Sequence, residues 1–216
     1  MVNLGIRQLA FYTFKTAVQE ESCRRNFLSK YLLKYLLWSN FGDILDSSNM
    51  SFCNQNLSGI DLSNNRLDWR NTSFSQADLS KSIFADSTFT QVTFNQTKLM
   101  DADLRNTVFE NSSLDQANFE NANLNQAIFK YVTLEKTSFN TQKLGGAIFI
   151  NSDLSKLADP NKIYGNLSSG NIKVCCSKLP LELGIEFDRD CQDSRVSLYI
   201  NEDDLTKCHD QSSKRG

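Results

Sequence analysis

The residues best suited to metal chemistry are cysteines and one histidine near the C-terminus. The chain has six cysteines and a single histidine, His209, which follows Cys208. With Cys175, Cys176 and Cys191, these residues offer the sulfur and nitrogen ligands that zinc prefers. No CxxC pair occurs among them, and two adjacent cysteines such as Cys175 and Cys176 are poorly placed to bind the same ion. We therefore predict no metal site.

The oxidation state of the cysteines is less constrained by the sequence. They are scattered along the chain and do not form a close-spaced disulfide framework. A disulfide among Cys175, Cys176 and Cys191 would fasten the C-terminal tail and would require an oxidising compartment. The N-terminus lacks the apolar core and cleavage site of a secretory signal. We expect a cytoplasmic protein, and we favour free thiols over the disulfide.

Pairs of carboxylates are the remaining candidates for catalysis. Asp101 with Asp103, and Asp115 with Glu120, could in principle serve as general acid and base. These four carboxylates fall at positions that point outward in a repeating pattern. A row of solvated carboxylates is therefore a simpler interpretation than a catalytic pair. The sequence has no GxxxxGK[ST] or GxGxxG loop, and it supports no Ser/His/Asp triad. We predict that the chain has no catalytic residues and no cofactor.

The charge balance argues against a nucleic-acid partner. The 216 residues include 23 lysines and arginines against 25 acidic residues, a formal net charge of -2. Domains that bind nucleic acid usually carry a marked basic excess. Electrostatics therefore points to no particular partner.

The candidate carboxylates are embedded in a repeat with a period of five. Strands alternate every two residues and helices every 3.6, so a period of five is typical of neither. The residue two positions before each large one is usually small, as at Ala77, Ala102 and Ala117. Seventeen consecutive positions hold only leucine or phenylalanine: Phe74, Leu79, Phe84, Phe89, Phe94, Leu99, Leu104, Phe109, Leu114, Phe119, Leu124, Phe129, Leu134, Phe139, Leu144, Phe149 and Leu154.

The repeat is interrupted near its beginning. Phe52, Leu57, Leu62 and Leu67 keep the spacing of five, but Phe74 follows Leu67 by seven residues. Two extra residues therefore break the frame, and we expect a bulge or loop around Trp69.

Several segments of the repeat follow one five-letter pattern. They are ADLSK at 77–81, ADLRN at 102–106, ANFEN at 117–121 and ANLNQ at 122–126. The pattern resembles the A(D/N)LXX repeat of the pentapeptide-repeat family. The resemblance implies an all-β solenoid, a right-handed quadrilateral β-helix in which each pentapeptide forms one side and four form a turn. Turns would then stack at a spacing of about 4.8 Å, and the large residue would fill the axis.

The repeat divides the chain into three parts. We assign residues 47–157 to the β-helix and residues 1–46 to an N-terminal α-helical cap, because apolar residues there recur at helical spacing. The alternatives for residues 24–38 are a partner surface or an interfacial membrane helix, which basic residues beside aromatic ones would favour. Residues 158–216 form an irregular tail with short strands, disordered at its end.

With four pentapeptides in each turn, residues twenty apart should stack in columns. One inner column is entirely aromatic and forms the structural core of its side: Phe89, Phe109, Phe129 and Phe149. The residues that precede these phenylalanines point outward and become apolar along the chain. The apolar strip that results is the candidate protein-binding site: Val108, Ile128 and Ile148, with Tyr131 and Ile150 nearby.

An apolar strip on the outside of a β surface has three explanations. It can bind a protein partner or a second copy of the chain, it can be covered by a terminal segment of the same chain, or it can be an ordinary ladder of β-branched residues. We interpret the chain as a non-catalytic protein-binding module or structural scaffold. The family resemblance also suggests a DNA mimic that interacts with or protects a topoisomerase (gyrase). The eleven acidic and nine basic residues of 47–157 support that alternative weakly.

Overall fold

The repeat forms a parallel β-solenoid. The computed structural model describes residues 49–63, 68–139, 143–163 and 172–177. One side of the solenoid is a six-stranded parallel sheet whose strands follow one another in chain order. The strands are β1 (Asp68–Arg70), β2 (Thr88–Thr90), β3 (Val108–Glu110), β4 (Ile128–Lys130), β5 (Ile148–Ile150) and β6 (Lys173–Cys175).

The register between strands shows how the solenoid is built. From β1 to β5 each residue pairs with the residue twenty positions later, so that Phe89 lies opposite Phe109. The other three sides contribute single parallel bridges with the same offset, such as Thr93 with Ser113 and Lys98 with Asn118. Four uninterrupted turns therefore connect β1 to β5, and each turn contains four pentapeptides. This confirms the solenoid that the spacing and the resemblance predicted.

The interruption near Trp69 differs from the prediction. Trp69 lies in β1 opposite Phe89 and is 1% exposed, so it is a central residue of the repeat and not part of a loop. The first turn is longer than the others, because Ser51 pairs with Ser73, 22 positions later. Counting back in fives from Phe74 reaches Trp69, and the two extra residues fall between Leu62 and Trp69. The expectation failed because it admitted only leucine and phenylalanine as central residues.

Aromatic stacking continues along the inside of the sheet. Phe89, Phe109, Phe129 and Phe149 are all fully buried. Their rings stack nearly parallel, with centroid distances of 5.1 Å between Phe89 and Phe109, 5.1 Å between Phe109 and Phe129, and 4.6 Å between Phe129 and Phe149. Phenylalanines from the neighbouring sides meet this stack edge to face, as Phe139 does with Phe129 at 5.5 Å. Both arrangements suit the aromatic quadrupole.

The corners of the solenoid use a left-handed backbone. Eighteen non-glycine residues in the described ranges have positive φ, and most stand two positions after a central residue. Examples are Gln76 (φ 60°), Asn106 (φ 56°) and Lys136 (φ 56°). The backbone N–H of most of these corners donates to a carbonyl of the next turn, at 2.8 Å from Gln76 to Asn95 and 3.0 Å from Asn106 to Asn125. These bonds between turns offset the strain of the left-handed conformation.

The polar atoms of the small inward residues are mostly hydrogen-bonded inside the solenoid. Where the position holds serine or threonine, the hydroxyl usually donates to a main-chain carbonyl. Thr97 Oγ1 donates to Phe74 O at 2.7 Å, and Ser82 Oγ donates to Leu79 O at 2.6 Å. Ser87 is the exception, because its buried Oγ has no hydrogen-bond partner in the described part of the chain. Buried polar atoms of this kind cost stability unless they are paired.

The repeat ends in a short 3-10 turn, Leu154–Lys156, where Asp153 caps the first turn by accepting from Ser155 N. Residues 160–163 add one helical turn, and β6 then extends the sheet beside β5. Within the described ranges no helix has the length and apolar character needed to cross a bilayer. The helical cap at 1–46, and the tail at 158–216 apart from 158–163 and 172–177, lie outside the described residues.

Candidate protein-binding face

The apolar strip lies on the outer surface of the six-stranded sheet. Strand register stacks Val108 beside Ile128 and Ile128 beside Ile148. We call these three residues the outer row. Ile150 stands next to the row on β5, and the earlier members of the same columns are polar, as Thr88 and Thr90 on β2 show. The sheet therefore changes from polar to apolar along one face.

The exposure of these residues also changes along the face. Thr88 and Val108 are half-buried, whereas Ile128 is 7%, Ile148 1% and Ile150 0% exposed. The sequence left open whether this strip is covered, and its three isoleucines are buried. They form a small apolar cluster with Cys175, against which Val108 and Cys176 pack. The cluster lies outside the solenoid core, so the last strands are apolar on both surfaces.

Tyr131 occupies the corner that directly follows β4. Its φ is 52°, which places a bulky aromatic residue in the left-handed region. Most equivalent corners of the other described turns hold amide side chains, namely Asn49, Asn71, Gln91, Asn111 and Asn151, whereas the corner after β6 holds Cys176. Lys130 Nζ lies 5.7 Å from the centroid of the Tyr131 ring and 3.2 Å from Glu110 Oε1. Tyr131 is half-buried, so the face ends in an aromatic corner flanked by an ion pair.

The cysteines differ from the sequence prediction. Cys53 and Cys176 are disulfide-bonded, whereas Cys175 is buried and not part of a disulfide. The preference for free thiols is therefore wrong at Cys53 and Cys176. These two residues belong to the first and last described parts of the solenoid, and the partner of each lies outside the described residues, as do Cys191, Cys208 and His209. No spacing rule in the sequence could have identified bonds between such distant segments.

The candidate catalytic carboxylates all lie in the described part of the chain. In these ranges no three His, Cys, Asp or Glu side chains converge to hold a metal ion. Asp115 Oδ1 accepts from the backbone of Glu135 at 2.8 Å, while Glu120 lies on the next side, so these two carboxylates do not converge. The carboxylate of Asp103 accepts from Arg105 at 2.8 and 2.7 Å.

That hydrogen bond from Arg105 lowers the pKa of Asp103 below its ordinary value, because it stabilises the charged carboxylate. General acid and base catalysis near neutral pH needs a carboxyl group with the opposite shift. The structure thus places Asp103 in a surface ion pair.

The geometry of this solenoid can be compared with known families. A family model described as a pentapeptide repeat region matches residues 65–139 and 82–158. The chain belongs to the pentapeptide-repeat family. No curated protein matches it by sequence.

Solved structures of other pentapeptide-repeat proteins are also similar to the chain. HetL, a protein involved in heterocyst differentiation regulation from the cyanobacterium Nostoc sp. strain PCC 7120, shares 16% identity. The alignment covers 72% of this chain and 61% of HetL, with a TM-score of 0.39. A pentapeptide-repeat protein from the thylakoid lumen of Arabidopsis thaliana shares 20% identity over 61% of this chain and 83% of its own, with a TM-score of 0.32.

A third similar structure is QnrB1, a plasmid-mediated fluoroquinolone resistance protein. It shares 18% identity over 66% of this chain and 76% of its own, with a TM-score of 0.31. At such identities the likeness of pentapeptide-repeat proteins concerns the fold alone. What distinguishes this member must come from its own side chains, of which the outer row and Tyr131 depart most clearly from a polar surface.

Proposed function

We propose that this pentapeptide-repeat protein is a non-catalytic protein-binding module or scaffold. Its contact site comprises Val108 and Tyr131, the two members of the predicted site that stay half-buried. The observation that carries the proposal is the half-buried tyrosine at the left-handed corner that follows β4. Solenoids present flat, extended surfaces of this kind, and partners recognise their decoration more than their fold.

The corner matters because tyrosine is a poor choice for it on folding grounds. A bulky residue in the left-handed region carries a strain on the order of 1–3 kcal/mol, and asparagine tolerates that conformation better. The other described corners of this column hold asparagine or glutamine, with the exception of Cys176 after β6. Tyrosine at a surface corner where the repeat uses mostly asparagine or glutamine suits a contact site, because tyrosine is enriched at protein interfaces.

Substitutions at this corner test the proposal. Tyr131→Asn introduces the residue found at the neighbouring corners, so we expect the free energy of unfolding to be unchanged or raised. Val108→Lys adds a charge to a half-buried position on the same surface. Gln91→Asn changes an equivalent corner two turns away and serves as the control. In quantitative capture experiments that use the full chain as bait, we expect the same partner to be lost from the Tyr131→Asn and Val108→Lys variants. The Gln91→Asn variant should capture it as the wild type does.

The homodimer is the other form of this proposal. Light scattering coupled to size exclusion would then show a dimer for the full chain and a monomer for Tyr131→Asn. If every protein captured by the full chain is captured equally by both surface variants, and the mass in solution is also unchanged, the proposed contact site is wrong. Ile128→Lys is unsuitable for this test, because Ile128 is buried and a lysine there would destabilise the protein.

No observation favours the DNA-mimic alternative enough to make it a second proposal. A mimic of duplex DNA needs a continuous negative surface. Here acidic and basic side chains share the same columns, as Asp78 does with Lys98 and Glu110 with Lys130. The charge is therefore mixed within individual sides of the solenoid.

The disulfides also bear on the compartment. We infer that the protein folds under oxidising conditions and not in the reducing cytoplasm that the N-terminal sequence suggested, because disulfides persist where glutathione does not reduce them. Alkylation of unreduced protein from its native source, followed by mass spectrometry, tests this inference. Blocked thiols at Cys53 and Cys176 would support it, and free thiols at both would contradict it.

A further inference from the structure

The isoleucines of the outer face are covered by something other than the solenoid. Ile128, Ile148 and Ile150 point away from the core and are still 7%, 1% and 0% exposed. On β2 the equivalent positions, Thr88 and Thr90, stay half-buried although their strand is also flanked on both sides. Flanking strands therefore do not explain the burial, and the cover lies over β4 and β5 but not over β2.

Strand β6 supplies only part of this cover. It pairs with β5, where Lys173 lies beside Ile148 and Cys175 beside Ile150. Strands of one sheet stand side by side at about 4.8 Å, whereas a layer that covers a sheet lies about 10 Å above it. A neighbouring strand can thus shield the edge of Ile150, but it cannot lie over Ile128, which is two strands away.

We propose that the segment 178–216 of the same chain lies across Ile128, Ile148 and Ile150 as a strap, with the Cys176 disulfide holding its start against the sheet. The chain leaves β6 through Cys176 and Ser177, and Cys176 already packs against the isoleucine cluster. Its disulfide joins this point to a segment outside the described residues. These three isoleucines are buried within a single chain, so no second copy is required.

The other terminal segment enters the solenoid at the opposite end. Asn49 N donates to Arg70 O of β1 at 2.8 Å. From β1 to β5 there are four turns, which at the usual strand spacing is about 19 Å. Residues 178–216 therefore start beside the covered isoleucines, whereas residues 1–48 join the fold far from them. The inference goes beyond the proposed function, because the occupant of this part of the face belongs to the chain itself.

Photo-crosslinking of the purified full chain identifies the occupant. Benzoylphenylalanine replaces Val108, at the rim of the row, and in a control protein it replaces Thr133, an exposed residue on the next side of the solenoid. We expect position 108 to form intramolecular crosslinks to peptides from 178–216, at several times the yield from position 133. Crosslinks to 1–48, crosslinks between isotopically distinct copies, or equal yields at both positions would overturn the proposal.

A second measurement tests whether the Cys176 disulfide holds the strap in place, and it uses the full-length chain. Cys176→Ser removes the disulfide beside the row, and Cys53→Ser removes the one in the first turn, which makes it a matched control. If the strap is fastened at Cys176, Cys176→Ser should raise the fluorescence of a hydrophobic dye several-fold, and Cys53→Ser should leave it near the wild-type value. An equal response of the two variants would overturn the role of the Cys176 disulfide.

Discussion

Strands β2 and β5 occupy the same place in two turns of one solenoid, and they differ only on the outside. Each has a fully buried phenylalanine at its centre, Phe89 in β2 and Phe149 in β5. The flanking residues of β2 are half-buried threonines, whereas those of β5 are buried isoleucines. The repeat therefore determines the inner residue of every turn. The outer residues depend on what packs against that turn from outside.

The largest expected effect concerns the interior that both strands share. Phe129→Ala should lower the free energy of unfolding by about 3–5 kcal/mol, because it leaves a cavity between two stacked rings. Phe129→Leu should lower the free energy of unfolding much less, because leucine fills the equivalent inward position on another side at Leu114 and Leu134. Urea unfolding followed by circular dichroism measures both. Equal losses for the two variants would mean that the aromatic stack itself carries the stability.

An exchange of outer residues tests the difference between the two strands. Ile148→Thr gives β5 the residue of β2, and it should cost about 1–3 kcal/mol, because methyl burial is lost and a hydroxyl is buried without a partner. Thr88→Ile makes the reverse change on an uncovered strand and should alter the free energy of unfolding by less than about 0.5 kcal/mol. Similar values for the two variants in urea titrations would show that the two strands do not differ in their cover.

The small inward residues allow a finer test within the interior. Ser82→Ala removes a hydroxyl that donates to a carbonyl and should cost about 1 kcal/mol. Ser87→Ala removes a buried hydroxyl without a described partner and should leave the melting temperature unchanged or raise it. Thermal unfolding of the two alanine variants gives the comparison. A loss at Ser87 equal to that at Ser82 would imply that Ser87 has a partner after all.

The smallest effect belongs to the polar exterior. Because Arg105 lowers the pKa of Asp103 in the folded protein, the pair stabilises the fold at neutral pH, and this contribution fades as acid protonates Asp103. Arg105→Gln should return the pKa of Asp103 towards its ordinary value. It should also make the acid dependence of stability slightly shallower. Titration of the Asp103 carboxyl by NMR measures the shift, and an unchanged titration midpoint would rule out Arg105 as its cause.

The interior could be predicted from the sequence because it repeats. Phe109 and Phe129 stand twenty residues apart, and this spacing alone indicates that they stack. Trp69 has the same spacing, and it was not predicted as a central residue only because it is neither leucine nor phenylalanine. The left-handed corners also had a signal, since asparagine, aspartate or glycine stands at many of them, as at Asn106 and Gly146.

The outer face could not be predicted in the same way. The sequence showed that Ile128 and Ile148 point outward, but their burial depends on chain segments that do not share the period. The disulfides at Cys53 and Cys176 pose the same problem, because they join the repeat to segments whose placement no spacing rule describes. Local pattern thus determines the solenoid, and nonlocal contacts determine its surface.

The constant offset of twenty residues also determines how such a chain can change in length. Loss of one whole turn, for example residues 91–110, would shorten the rod by about 4.8 Å and leave every later side chain in its original column. Loss of three sides would rotate everything downstream by one corner and move Ile128 and Ile148 to a different face. Duplications and deletions in whole turns therefore preserve the surface pattern, and the rod can grow or shrink only in steps of that size without losing it.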